Sequence, residues 1–236
     1  MVCKLKRSIY WLKQESRTWN IGFDQAIKSF GFEQNLDEPY VCKRHQDKVI
    51  IFLVLYVDDI LLIGNDVGII PSVKIWLSSQ FDMKDFNEAW YILGIKLWWN
   101  RKNSMLGLSQ TGYIDKILKR FSMQNSKKGL LLFKHGIPLS NDQRPKTLEE
   151  EKKMRQIPST SAVGSLMYAM LCTRPDIYYS VGMVSWYQSN LGPKHWEAIK
   201  HILKYIRRMR DYMLDYHCEV KVQIVWNTLW TFRPPN

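Results

Sequence analysis

Residues 49–66, VIIFLVLYVDDILLIGND, constrain the fold of this chain more than any other stretch. Nine consecutive apolar residues, Val49 to Val57, run into the adjacent acids Asp58 and Asp59, and four more, Ile60 to Ile63, follow at once. An ionised carboxylate buried without a partner is costly enough to neutralise itself or unfold its surroundings. The acids therefore do not belong in the body of an interior element. A tight turn over Val57 to Asp59 resolves the conflict, because the second run then folds back beside the first as an antiparallel strand and both acids reach the hairpin tip. Two acids at a turn are ordinary turn chemistry in water. Flanked by apolar strands, they are also suited to a divalent cation, which takes one or two carboxylates together with substrate phosphates.

Helical and strand periods alternate on either side of this hairpin. Trp19, Phe23, Ile27 and Phe30 recur at helical spacing before Gly31, predicting a helix over 16–30. YVCKR pairs in expectation with VIIFLVLY, and a helix is expected over 71–80, where Pro71 is tolerable in a first turn. FDMKD, WYILGIKLWW and MLGLSQ read as strands, and GYIDKILKRFSM as a short basic helix. Residues 124–158 lack a period and read as a linker, and helices are expected over 160–172, 175–189 and 193–210. Strands mixed with helices up to residue 122, then helices only, predict an α+β chain.

The chain of 236 residues carries a net charge of +12, an excess that points to an anionic partner, nucleic acid before a membrane surface. On the last predicted helix Trp196, Ile199, Ile202, Leu203, Ile206 and Met209 form an apolar stripe. Lys200, Lys204, Arg207 and Arg208 line much of the rest, as either a solvated face or a phosphate-facing one. Cys3, Cys42, Cys172 and Cys218 lie far apart without metal-ligand spacing and read as reduced thiols of an intracellular protein, cytoplasmic or nuclear. The longest apolar run is about half the ~20 residues that a membrane-spanning helix needs, so no membrane partner is expected.

YVDD at 56–59, inside LYVDDILLIGND, resembles the polymerase motif of reverse transcriptases, and its surroundings resemble the Ty1/copia class of retrotransposon polyproteins. LKRSIYWLKQESRTWN is similar to that family's Leu-Lys-Gln segment, with Arg17 and Trp19 matching its flank. FDMKDFNEAWYILGI is similar to its primer-gripping Leu-Gly hairpin. LSQTGYIDKILKRFSM, VGSLMYAMLCTRPDIYYSVGMVS and HWEAIKHILKYIRRMRDYML resemble later blocks of the same family, in the same order.

The resemblance implies a palm-like antiparallel sheet with packed helices, followed by a helical thumb and connection region. It divides the chain into a partial palm and thumb start (4–122), a linker (123–158), a helical connection region (159–214) and an unrelated tail (215–236). It implies an RNA-directed DNA polymerase working by two-metal nucleotidyl transfer on an RNA template, a DNA primer and deoxynucleoside triphosphates. Asp58 and Asp59 would be catalytic and hold Mg2+ or Mn2+; Gln14 and Tyr56 would bind template or substrate; Leu93 and Gly94 would grip the primer. Lys200, Lys204, Arg207 and Arg208 would contact phosphates. A fingers segment or other Pol domains would be further partners.

The chain also departs from the family pattern. A third family carboxylate, on a strand upstream of the Leu-Lys-Gln segment, has no counterpart in Met1, Val2 or Cys3. Trp11 stands where glycine is usual, Pro71 enters a helix usually filled by acids and aliphatics, and 215–236 lacks a ribonuclease H pattern. An N-terminally truncated chain, inactive by itself, is therefore expected. Two alternatives stay open: a non-catalytic basic nucleic-acid-binding module, and a transposon relic without function.

Overall fold

The structure, a computed structural model, describes residues 15–57, 59–66, 68–132, 139–217 and 223–232. The chain divides into two compact units, Met1–Ala89 with Glu219–Asn236, and Trp90–Cys218.

In the first unit helix α1 (Glu15–Ser29) precedes a short strand β1 (Glu33–Gln34), strands β2 (Val41–Gln46), β3 (Val49–Tyr56) and β4 (Asp59–Gly64), helix α2 (Ile69–Gln80) and strand β5 (Phe81–Glu88). A further strand, β10 (Gln223–Phe232), comes from the far end of the chain. The sheet order is β1-β2-β3-β4-β10-β5, and every pairing is antiparallel. Apolar spacing drives the packing. Phe23 and Ile27 of α1 and Ile70, Val73 and Leu77 of α2 share one core with Ile51, Leu53, Leu55, Ile60 and Leu62 of the sheet. Phe30 stacks on Trp76 with ring centroids 4.1 Å apart, and the Arg44 guanidinium caps Phe30 at 4.7 Å. Pro71 is the third residue of α2, where its missing N–H has no intrahelical acceptor to leave empty.

The second unit holds strands β6 (Tyr91–Ile92), β7 (Ile95–Asn100), β8 (Met105–Ser109) and β9 (Leu214–His217), an antiparallel sheet in the order β6-β7-β8-β9. Its helices are α3 (Thr111–Arg120), α4 (Leu148–Arg155), α5 (Ser159–Cys172), α6 (Tyr178–Ser185) and α7 (Pro193–Arg208). Ile114, Ile117 and Leu118 of α3, Leu166 of α5, Val181 and Val184 of α6 and Ile199, Ile202, Leu203 and Ile206 of α7 form the second core. At the start of α7 the chain passes so close to the Gln143 carbonyl that a Cβ on Gly192 would lie 1.8 Å from it, so only glycine fits.

The α+β class and the antiparallel sheet agree with expectation, and the differences are local. The run WYILGIKLWW is a hairpin broken at Leu93-Gly94, since both residues have positive φ, 49° and 79°. The stretch 124–158 contains α4, started by a capping box: the Glu150 N–H donates to Thr147 Oγ1 at 3.2 Å, and the Glu150 carboxylate accepts from the Thr147 N–H. The helix escapes a periodicity reading because Met154 is its one buried residue. Helices are not the whole of the later chain either. β9 and β10 close it, and β10 pairs with strands far earlier in the sequence, which no local pattern announces.

Candidate active site

The β3–β4 hairpin answers the conflict in its sequence. On β3 Ile51, Leu53 and Leu55 are buried while Phe52 and Tyr56 are exposed; on β4 Ile60 and Leu62 are buried while Asp59, Leu61 and Ile63 are half-buried. One face thus lies on the core and the other is an apolar face partly open to water, so an unbroken apolar run is what both strands require. The register pairs Phe52 with Ile63, Val54 with Leu61 and Tyr56 with Asp59. The open face therefore ends in a phenol beside a carboxylate. Val57, at the turn, has φ 53°, a left-handed conformation that costs a β-branched residue energy and marks a geometry held by its surroundings. Asp58 and Gln14 lie outside the described residues.

On its other side β4 pairs with β10, whose Thr228 stands opposite Asp59. That strand, QIVWNTLWTF, contains no acid. β10 therefore adds no carboxylate beside Asp59, and the next strand, β5, sets Lys84 opposite Thr228 and Asp85 opposite Asn227. Oxygen donors at an open strand end fit a divalent ion that completes its shell with water and phosphate oxygens. Among the described residues no group of three or more His, Cys, Asp or Glu is placed to hold a metal ion.

In the second unit, Leu93 and Gly94 are the two loop residues between Ile92 and Ile95, which pair across the hairpin. Positive φ at both positions is the type I′ arrangement whose twist matches the strands, and Gly94 supplies it without steric cost. The Tyr168 hydroxyl of α5 donates to the Leu93 carbonyl, which fixes the loop. Beside it lies a groove of about 580 Å³ lined in part by Tyr91, Lys96, Trp98, Tyr113 and Lys116. Exposed aromatic rings next to ammonium groups can stack bases and screen phosphates. Sequence reasoning missed this groove. Alternation along β7 marks Trp98 as outward-facing, but nothing local brings α3 beside it.

The four basic residues of α7 differ in setting: Arg208 is exposed, whereas Lys200, Lys204 and Arg207 are half-buried. The Lys204 carbonyl accepts from the Gly129 N–H at 2.9 Å, so the segment around Gly129 lies against the helix there. Arg174, within CTRPDIYY, is buried and braces the end of α7. Its guanidinium donates to both Asp176 oxygens, at 3.0 and 2.7 Å, and to the Met209 carbonyl at 2.6 Å. His195 is buried under Tyr187, and its Nδ1 accepts from the Gly192 N–H at 3.0 Å. That acceptor role requires the neutral ring, and burial holds its pKa below the ordinary histidine value. Burial likewise raises the thiol pKa of Cys42 and Cys172, both of them free.

Comparison with known proteins places these features in a lineage. The family model described as reverse transcriptase (RNA-dependent DNA polymerase) matches residues 1–131. The chain is 47% identical over 208 residues to the retrovirus-related Pol polyprotein from transposon TNT 1-94 of Nicotiana tabacum, a match covering 88% of this chain and 16% of that protein. It is 30% identical over 213 residues to the Pol polyprotein from transposon RE2 of Arabidopsis thaliana, covering 89% of this chain and 14% of the relative. With a putative transposon Ty5-1 protein of Saccharomyces cerevisiae it shares 27% identity over 217 residues, 91% of this chain and 68% of the relative. It thus spans about a sixth or less of the plant polyproteins. No solved structure matches the chain. With the motif order of the sequence, the YVDD hairpin and the family match in agreement, this chain belongs to the reverse-transcriptase family of Ty1/copia-type retrotransposon Pol polyproteins.

Proposed function

We propose that this chain is the partial polymerase region of a Ty1/copia-type Pol polyprotein, which binds primer and template but does not extend a primer by itself. The observation that carries the reading is the strand beside the YVDD hairpin. Two-metal nucleotidyl transfer needs carboxylates from more than the hairpin, and β10, in register with β4, carries an uncharged Thr228 opposite Asp59. Asp58 and Asp59 would hold Mg2+ or Mn2+. A cation held there supplies the positive charge that favours an ionised 3′ hydroxyl and a departing pyrophosphate.

The chain's own groups have more modest tasks. Tyr56, paired with Asp59 and exposed, offers a ring to a base or sugar at the primer end. Leu93 and Gly94 present a fixed backbone loop, and Tyr91, Trp98, Lys96 and Lys116 beside it suit a nucleic-acid strand. Gln14 is assigned to template or substrate, and Lys200, Lys204, Arg207 and Arg208 to phosphates, by family position and charge. A net charge of +12 favours the binding half of the proposal, and predicts affinity that falls steeply with salt.

Primer extension on an RNA template with Mg2+ or Mn2+, run beside duplex binding at two salt concentrations, tests both halves. The proposal expects salt-sensitive binding without extension. Robust extension that Asp58→Asn abolishes would overturn the inactivity, and salt-independent or absent binding would overturn the rest.

A further inference from the structure

On the second unit's sheet, alternation along β7 turns Leu97 into the core and Lys96 and Trp98 outward. The register sets Tyr91 opposite Lys96, Lys96 opposite Ser109, and Trp98 opposite Gly107, which faces Asp215 in turn. Tyr91 and Trp98 are therefore diagonal neighbours on one face, with Cβ atoms about 7 Å apart. A Cβ on Gly107 would lie 3.4 Å from Trp98 Cε3 and 3.0 Å from Asp215 Oδ1. The indole thus leans over bare backbone, and Trp98 stays 39% exposed and Tyr91 52%. Both border the groove of about 580 Å³, so a planar group that enters it finds uncovered ring surface.

The charged side chains that line the groove are Lys96, Lys116, Asp115 and Asp211, two of each sign. Arg210 changes that balance. Its guanidinium grips Asp115 through two bonds, Nε to Oδ1 at 2.7 Å and Nη2 to Oδ2 at 2.9 Å, and lies 3.7 Å from Asp211. The backbone there is fixed as well. The Arg210 carbonyl accepts from Thr111 Oγ1 at 3.2 Å, and the neighbouring Met209 carbonyl accepts from the buried Arg174 at 2.6 Å. Among the described residues no carboxylate pairs with Lys96 or Lys116. Asp115 is therefore neutralised and Asp211 partly so, while two free ammonium groups remain, Lys96 on the sheet wall and Lys116 on α3. Such a groove complements an anion that carries a planar, stackable part.

On the reading that this chain binds primer and template, we propose that the groove is a single-strand site: an unpaired base stacks on Trp98 beside Tyr91, and the phosphates flanking it meet Lys96 and Lys116. Inside a duplex both faces of every base are covered by its neighbours, so exposed rings gain contact only from an unpaired strand. Stacking of this kind tolerates any sequence, because every base has a π-face. Arg210 is a positioning residue. It does not touch the strand but keeps Asp115 from repelling the phosphates.

Fluorescence anisotropy of the whole chain tests this with labelled single strands of about eight nucleotides, as DNA and as RNA, beside a blunt duplex and an abasic strand of equal phosphate count. Trp98→Ala should weaken single-strand binding roughly tenfold and leave duplex binding within about twofold, whereas Trp98→Tyr, which keeps a ring, should retain most of it. The abasic strand should bind the parent about as weakly as the intact strand binds Trp98→Ala. Lys96→Gln and Lys116→Gln should each lower the slope of log affinity against log salt by about 0.7 for the single strand. Arg210→Gln should weaken binding about threefold, and adding Asp115→Asn should recover it, which a merely structural arginine would not allow. Either sugar satisfies the proposal, and the tighter one identifies the unpaired strand as template or primer. Single-strand binding that Trp98→Ala and Tyr91→Ala both leave unchanged would overturn the proposal. So would an abasic strand bound as tightly as the intact one, or equal weakening of duplex and single strand. In those cases salt-sensitive duplex binding would leave the primer and template reading standing, whereas absence of binding to every probe would overturn both.

Discussion

Replacing Thr228 by aspartate places a new carboxylate directly opposite Asp59, on the strand that carries no acid. Opposed residues on antiparallel strands have Cβ atoms about 5 Å apart, so the two carboxylates would sit roughly 6 Å apart. At an effective dielectric between about 20 and 40 they repel by about 1.4–2.8 kcal/mol. Lys84 stands opposite position 228 on β5 and would attract the new carboxylate, so the comparison is made with Lys84→Met as the parent. In a chain of this size 1 kcal/mol moves the melting temperature by about 2–4 °C, so Thr228→Asp added to that parent should melt about 3–11 °C below it in EDTA. Thr228→Asn, similar in shape and uncharged, should stay near it. A cation held between the hairpin and the new acid offsets the repulsion and adds mass-action stabilisation, about 2.7 kcal/mol at a hundred times its dissociation constant. Differential scanning fluorimetry with and without Mn2+ reads both steps. The variant should recover most of its loss in Mn2+, with a shift roughly three times that of the parent or more. Equal melting of variant and parent in EDTA, or equal Mn2+ shifts, would refute the placement of position 228 beside the hairpin acids and their role as cation ligands.

Leu93→Asn should raise the melting temperature of the second unit by about 2–4 °C, because asparagine tolerates the left-handed φ of 49° that leucine adopts at a cost of about 1 kcal/mol. Thr147→Ala should remove about 1 kcal/mol of capping from α4. With one buried residue in that helix, the loss should appear as faster amide exchange over Leu148–Arg155 and leave global melting nearly unchanged. His195 gives a pH dependence with a definite sign. Its folded pKa is lowered by burial, so the unfolded chain binds the proton more readily, and stability is complete above the unfolded value of about 6.5. It falls as pH drops below that value, until the folded ring also protonates. Denaturation profiles from pH 7.5 to 5 should show this slope, and His195→Gln should flatten it.

The hairpin was legible because two local signals agree: apolar runs too short for a membrane helix, and acids that have no place inside one. Its two-faced nature was already written in the unbroken run from Val49 to Val57, since alternation would have left one face polar. Helices α1 and α7 were legible for the same kind of reason, a stripe at helical spacing bounded by Gly31 in one case and Pro193 in the other. α4 was not, because charged side chains all round give no stripe to read, although the T-x-x-E start was present at Thr147 and Glu150. β10 was not legible as part of the sheet, since its partners β4 and β5 are set by pairing across the chain. The groove beside Leu93 and Gly94 depends on α3 meeting β7, and the brace by Arg174 on the far end of α7. Such contacts are properties of the packed chain rather than of any window of residues.

The central claim is that the acids at the β3–β4 turn hold a hard cation against nucleotide phosphates. Electron paramagnetic resonance of Mn2+ titrated into the chain with primer, template and a deoxynucleoside triphosphate measures this directly. The account predicts bound Mn2+ that depends on the triphosphate and is lost in both Asp58→Asn and Asp59→Asn. Bound Mn2+ that survives both substitutions, or none bound in the parent chain, would contradict it.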